Sequence, residues 1–254
     1  MSELILQDGV PAARISCPAE LIPAPGQYAL ASDGSNAPLP VSLFHTDSTP
    51  DSFLASPVPD HWMPGCEISL RGPLGNGFKL PASARKIALV AFEVPPSRLR
   101  GLIRPALSQS AAVVFVSDSQ LENLPDDVEA QPLSVLNEIM EWADYAAFDV
   151  TRETLPGLKE RLGKLNQAST WREAQIFIQA PAPCGGIAEC GACAVITKSG
   201  WKMACKDGPV FALGDLYRTL SEIKTGTQKT LIQEKNLRFL RSSASNMPCS
   251  AYYR

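Results

Sequence analysis

Lys86-Ile-Ala-Leu-Val-Ala-Phe92 is a continuous apolar run after one lysine, and its reading decides the architecture of the chain. A strand with one face in water alternates apolar and polar side chains, whereas a strand covered on both faces does not. The run therefore predicts a strand inside a sheet with layers on either side. Working outward, Leu99, Leu102, Ile103 and Leu107 fall on one stripe of a helix that starts at Pro96. Ala112-Val-Val-Phe-Val116 is the next strand, Leu133 to Ala143 a helix with Leu136, Ile139 and Met140 inward, and Tyr145 to Val150 a strand. Leu155, Leu158, Leu162 and Leu165 line a further helix, which tolerates Pro156 in its first turn. Ala174-Gln-Ile-Phe-Ile-Gln179 closes the series as its last strand. Strands alternating with helices imply a parallel α/β sheet, here over residues 81–180.

Residues 1–80 have another texture. They are rich in proline and glycine, with short strands at Tyr28-Ala-Leu-Ala31, Val41-Ser-Leu-Phe-His45 and Cys66-Glu-Ile-Ser-Leu70 between turns such as Pro25-Gly26 and Pro64-Gly65. That is the pattern of a small, truncated β-barrel, with Asp47 to Trp62 read as loop. The chain as a whole is a multi-domain α+β protein.

At 254 residues, 45% hydrophobic and 19% charged, the chain is an ordinary soluble globular protein by composition. No apolar run approaches the roughly 20 residues of a membrane helix, and Met1 to Asp8 lacks the basic flank and apolar core of a signal peptide. A cytoplasmic location is expected. The net charge of −3 excludes nucleic acid as a partner for the whole chain. The charge is uneven: residues 217–254 hold seven Lys/Arg against two Asp/Glu, so this tail is +5 and residues 1–216 are −8. A solvated terminus or a dock for an acidic partner both account for it.

The chemistry lies between the sheet and that tail. Cys184-Gly-Gly-Ile-Ala-Glu-Cys190-Gly-Ala-Cys193 is followed by Cys205, which leaves five, two and eleven residues between successive cysteines. Glycines let such a loop wrap one small centre closely. The spacing is near the plant-type [2Fe–2S] pattern, one residue longer in its first gap. A structural zinc site also uses four cysteines, although zinc ribbons usually pair two short Cys-x-x-Cys hairpins and only Cys190 and Cys193 have that form here. Ala194 to Thr197 and Trp201 to Ala204 read as a β-hairpin whose turn, Lys198-Ser-Gly200, returns Cys205 to the loop. Residues 181–216 are thus a cluster-binding module, with Cys184, Cys190, Cys193 and Cys205 as metal ligands.

Cys205-Lys-Asp-Gly-Pro-Val-Phe211, together with Arg71-Gly-Pro-Leu-Gly-Asn-Gly-Phe78, resembles the electron transfer subunit of NAD-dependent dihydroorotate dehydrogenase, in the ferredoxin–NADP reductase group. The resemblance covers about residues 20–216 in the same order. It implies an FAD-binding barrel, a nicotinamide-binding α/β domain, a C-terminal [2Fe–2S] module, a place in pyrimidine biosynthesis, and a hetero-oligomer with a flavin-containing dehydrogenase subunit. It also implies FAD contacts at Tyr28, Ser42, Gly75 and Gly77.

Two departures bear on the cofactors. Leu39 stands where the resemblance implies an arginine on the FAD pyrophosphate, and Ser52 to Trp62 replaces a glycine–threonine flavin turn. FAD is expected to be weakly held. After the first α/β strand, Ala91-Phe-Glu-Val-Pro-Pro96 replaces a glycine-rich phosphate turn; two prolines remove amide donors and Glu93 adds negative charge, so NAD(P)H binding is not expected there.

The remaining polar candidates have plain readings. His45 and His61, the two histidines, are expected at the surface or in turns, and Cys17, Cys66 and Cys249 are ordinary thiols. Trp201 is a core aromatic or a shield over the cluster. Three functions remain open: an iron–sulfur subunit relaying electrons to or from a partner flavin dehydrogenase, a complete FAD-containing NAD(P)H reductase, and a non-redox assembly module stabilised by zinc.

Overall fold

The computed structural model describes residues 1–34, 39–163 and 173–216. Leu165, the basic tail 217–254 and Cys249 lie outside the described residues.

The first six strands are β1 (Glu3–Gln7), β2 (Val10–Ser16), β3 (Tyr28–Ser32), β4 (Val41–Thr49), β5 (Ser52–Ala55) and β6 (Ser69–Leu74). They pair antiparallel in the order β1-β2-β5-β4-β3-β6. The sheet's two ends approach each other, because the Met1 amine donates to the Cys66 carbonyl at 2.9 Å and the Met1 carbonyl accepts from Gly65 N–H at 2.9 Å. Ala13, Ile15, Ala29, Ala31, Leu43, Phe53, Val58 and Trp62 form its core.

Asp47 to Trp62 is corrected here. Ser52-Phe-Leu-Ala55 is a strand with all four residues buried, paired to β2 on one side and β4 on the other. Being central, it shows no alternation, and the turn residues Asp51 and Ser56-Pro57 disguise its four-residue length. Strands β1 and β2 were likewise unforeseen. The last strand of this sheet begins at Ser69, later than Cys66.

The second sheet contains β7 (Lys86–Ala91), β8 (Ala112–Val116), β9 (Val128–Gln131), β10 (Tyr145–Thr151), β11 (Ala174–Gln179) and β14 (Val210–Ala212), in the order β14-β11-β10-β7-β8-β9. All pairings are parallel except β14 against β11. Along β7 the side chains divide between two cores, as the apolar run requires. Ala88 and Val90 join Leu136 and Met140 of α2 (Leu136–Trp142) and Leu158 and Leu162 of α3 (Leu155–Gly163). Ile87, Leu89 and Ala91 join Leu99, Leu102, Ile103 and Ala106. The helix expected from Pro96 is instead a 3-10 segment, Pro96–Leu102, running into α1 (Ile103–Ser108). Pro105 has no N–H to give to Gly101, so the α-helical ladder lacks a rung at the junction.

Between β11 and β14 lie the cysteine loop, the hairpin β12 (Ala194–Thr197) and β13 (Gly200–Met203), and the single turn α4 (Ala204–Asp207). β14 extends the sheet beyond the strand read as its last. Cys193, Val195, Ala204, Cys205 and Phe211 pack into the same core as α2 and α3. The module is therefore rooted in the α/β layer. Among the described residues no helix is long and apolar enough to cross a membrane.

Candidate functional site

The hairpin delivers the expected geometry. Ala194 pairs with Met203, so Cys193 and Cys205 flank one end of the ladder, and their sulfurs stand 3.2 Å apart. Ala204 N–H to the Cys193 carbonyl, 3.0 Å, fixes that end. Both thiols are buried, whereas Cys184 is half-buried and Cys190 exposed. Cys184 takes hydrogen bonds from the Cys190 N–H, the Cys190 thiol, and the Glu189 and Ile187 N–H groups; led by the Cys190 amide, they lower its thiol to about 6. Cys205 takes one from the Ala188 amide, but burial and the neighbouring Cys193 push it up to about 12.

Left-handed backbone makes this possible. Gly185 (φ 65°), Gly186 (φ 78°), Ala188 (φ 64°) and Gly191 (φ 70°) turn successive amides inward. Ala188 adopts that conformation at a cost of about 1 kcal/mol, since it has a Cβ. Arg152, just past β10's carbonyl edge, donates to the Ala192 carbonyl at 2.5 Å and ties the loop to the sheet. Among the described residues no three His, Cys, Asp or Glu side chains converge on a single metal-ion position. Of the four thiols, Cys193 and Cys205 stand as one close pair, and Cys184 and Cys190 lie on the glycine-rich loop beside them.

The stretches Arg71–Phe78 and Cys205–Phe211 prove to be two halves of one joint. Asn76 N–H donates to the Gly208 carbonyl at 2.5 Å, and its side-chain amide donates to the Asp207 carbonyl at 2.8 Å. A Cβ on Gly75 (φ 73°) would lie 2.6 Å from Pro209 Cδ and 2.7 Å from the Gly208 oxygen. Gly77 packs as closely on the Pro25 carbonyl, 2.8 Å from a Cβ placed there. These glycines are required by packing within the chain.

Tyr28 is buried and aims its hydroxyl at the Cys205 carbonyl, 2.9 Å away. Burial, then the nearby Cys205 and Cys193, push the phenol up to about 12, so it remains a donor. Tyr28, Ser42, Phe44, Phe177, Cys205 and Pro209 line a cavity of about 30 Å³. The cavity abuts the cysteine loop through Tyr28 and Cys205. Leu39 is 51% exposed and brings no charge toward it.

Beside this cavity sits a constellation that sequence reading missed. Arg98 is bidentate to Asp149, Nε to Oδ2 at 2.8 Å and Nη2 to Oδ1 at 3.0 Å, with both side chains buried. Its guanidinium carbon also lies 5.7 Å from the Phe44 ring and 5.3 Å from the Phe177 ring. The available signal was an aspartate inside the apolar strand Tyr145–Thr151. Two other expectations are corrected. His45 is buried within β4 because its small neighbour Gly101 lets the ring under the 3-10 segment. Trp201 is 54% exposed, opposite the half-exposed Ile196 across the hairpin, and is not a core residue. His61 is at the surface as expected, bonded to Asp33 at 3.1 Å.

Residues 184–217 match the family described as the iron-sulfur cluster binding domain of dihydroorotate dehydrogenase B. The chain is 25% identical over 229 residues to the electron transfer subunit of dihydroorotate dehydrogenase B (NAD(+)) from Clostridium acetobutylicum, covering 83% of this chain and 92% of that one. It is 26% identical over 201 residues to the gamma subunit of sulfhydrogenase 1 from Pyrococcus furiosus, covering 61% of this chain and 65% of the relative, just under two thirds of its length. Among solved structures, NADH-dependent reduced ferredoxin-NADP oxidoreductase, described as a case of flavin-based electron bifurcation, superposes with a TM-score of 0.64 at 17% identity, over 91% of this chain and 97% of that one. The ferredoxin reductase of carbazole 1,9a-dioxygenase gives 0.53 at 14% identity, over 66% and 65%. Those two likenesses establish the fold alone. The chain has a ferredoxin-reductase-like fold, is similar in sequence to the electron transfer subunit of dihydroorotate dehydrogenase B, and carries at 184–217 the segment that matches that family's iron–sulfur domain.

Proposed function

We propose that this chain is an iron–sulfur electron-transfer subunit that relays electrons to or from a partner flavin dehydrogenase, in a hetero-oligomer. Residues 1–80 serve as a truncated, flavin-domain-like barrel, 81–180 as a nicotinamide-domain-like sheet, and 181–216 as the [2Fe–2S] module. Cys184, Cys190, Cys193 and Cys205 are its ligands. The observation that carries this reading is the 3.2 Å approach of the Cys193 and Cys205 sulfurs, beside the left-handed loop that carries Cys184 and Cys190. A four-cysteine zinc site would use the same residue type, and the match of residues 184–217 to an iron–sulfur cluster binding domain favours the two-iron cluster. When bound, such a cluster supplies one-electron transfer. The protein's part is to hold Cys193 and Cys205 in the dry core, to leave Cys190 at the surface, and to aim loop amides at the sulfurs. Both of these relatives are subunits of larger enzymes, which favours a partner that carries the flavin.

Anaerobic purification from native cells tests the reading. About two irons per chain and a broad visible absorption are expected, with a flavoprotein co-eluting. Cys190→Ser abolishes the absorption. Stoichiometric zinc without iron overturns the proposal.

A further inference from the structure

We propose that Tyr28 is a positioning residue for the cluster site rather than a flavin contact: its hydroxyl sets the separation between the two ends of the cysteine loop. This rests on the reading of Cys184 to Cys205 as the cluster site. At one end, the hydroxyl donates to the carbonyl of Cys205 at 2.9 Å, in a buried contact that links residues 177 positions apart. At the other end it abuts Gly186 so closely that a Cβ there would stand 2.7 Å from the oxygen. The ring itself is fixed. Tyr28 belongs to β3, paired to Phe44 of β4 and to Leu74 of β6, and its Cε1 would be 3.2 Å from a Cβ on Gly75.

One oxygen therefore touches the segment just after Cys184 and the peptide of Cys205, and it comes from the other sheet. Hydrogen bonds around ligating groups hold them in place and tune the centre's potential. A hydroxyl whose hydrogen points at the ligand's peptide favours added negative charge, so its loss lowers the midpoint potential. The same placement accounts for the small cavity: a tyrosine held against the cysteine loop cannot also lie along a flavin ring.

The test compares the full chain, purified anaerobically, as wild type, Tyr28→Phe, Gly186→Ala and the double variant. Iron content, rate of iron loss to a chelator, midpoint potential and extractable FAD are measured on each, with circular dichroism as the check of folding. Tyr28→Phe is expected to load iron, to lose it roughly fivefold faster for want of one buried hydrogen bond, and to have a lower potential. Gly186→Ala is expected to lose iron faster still, and less so in the Tyr28→Phe background, where the oxygen it would strike is gone. An unchanged loss rate and potential in Tyr28→Phe, with FAD content altered instead, overturns the proposal. So does an identical effect of Gly186→Ala in both backgrounds. If Tyr28→Phe does not fold, Gly186→Ala alone decides: faster iron loss with an intact fold supports the proposal, and an unchanged rate overturns it. A wild type without iron fails the cluster reading itself and this inference with it.

Discussion

Arg98 reaches back across the second sheet to grip Asp149, with two hydrogen bonds of 2.8 and 3.0 Å between side chains that are both buried. Asp149 lies in the middle of the sheet, opposite Ala91 of β7 and Phe177 of β11. Burial holds its carboxyl above the ordinary carboxylate range, and the charge and hydrogen bonds of Arg98 offset this only in part. Because Phe44 of the first sheet covers the guanidinium, the pair joins both sheets at the edge of the cavity.

Removing one partner of a buried pair strands the other's charge, at about 3–5 kcal/mol. Arg98→Met should lower stability by that amount in urea unfolding, while Arg98→Met combined with Asp149→Leu should recover most of it. A single variant costing under about 1 kcal/mol would show that the pair is not what holds this junction.

Gly75→Ala should unseat the cluster module. The new methyl meets Pro209 and the Gly208 carbonyl at 2.6 and 2.7 Å, and φ of 73° strains any side chain. The two effects together cost about 2–4 kcal/mol. Limited proteolysis should cut between residues 181 and 216 before any other described segment. Wild-type resistance in the variant would mean that Pro209 yields without cost.

The sequence-based reading succeeded where one physical requirement dominates. Ile87 to Ala91 had to be apolar throughout because both faces are covered, and Ala194 to Met203 had to turn back because Cys205 must meet Cys193. It failed where tertiary neighbours decide. Ser52 to Ala55 is a strand because β2 and β4 enclose it, and Arg98 is buried because Asp149 waits inside the sheet. Tyr28 and Gly75 meet the Cys205–Phe211 stretch, more than a hundred residues away, at the Cys205 carbonyl and at Pro209. No local pattern carries such a contact.

His45 gives a pH signature. Burial first, and Arg104 second, depress its imidazole to about 4 from an ordinary 6.5, with Asp47 opposing. Its Nδ1 has no hydrogen-bond partner. The folded state thus resists a proton that the unfolded chain accepts below pH 6.5, so this stability is complete above that pH and is lost as pH falls toward 4. The loss approaches about 3 kcal/mol. His45→Leu should be at least as stable at pH 7 and should show a shallower decline in urea midpoint between pH 6.5 and 4. Parallel curves for the two proteins would place the acid sensitivity elsewhere.

NADH should not reduce the isolated chain. Phosphate binding after the first strand of an α/β sheet depends on free amides at a helix start and on the absence of negative charge. Here the turn after β7 holds Glu93, exposed at φ 56°, and the helical segment that follows opens on Pro95 and Pro96, neither of which has an N–H to offer. Arg98, the nearest cation on that segment, points inward and is neutralised by Asp149. A pyrophosphate arriving there would meet one carboxylate and no paired donors. Anaerobic titration should therefore bleach the visible absorption with dithionite but not with NADH or NADPH over minutes, and a co-purified flavoprotein should restore the response. Rapid bleaching by NADH alone would mean that the dinucleotide binds by a route other than the turn after β7, and that the chain needs no partner to accept a hydride.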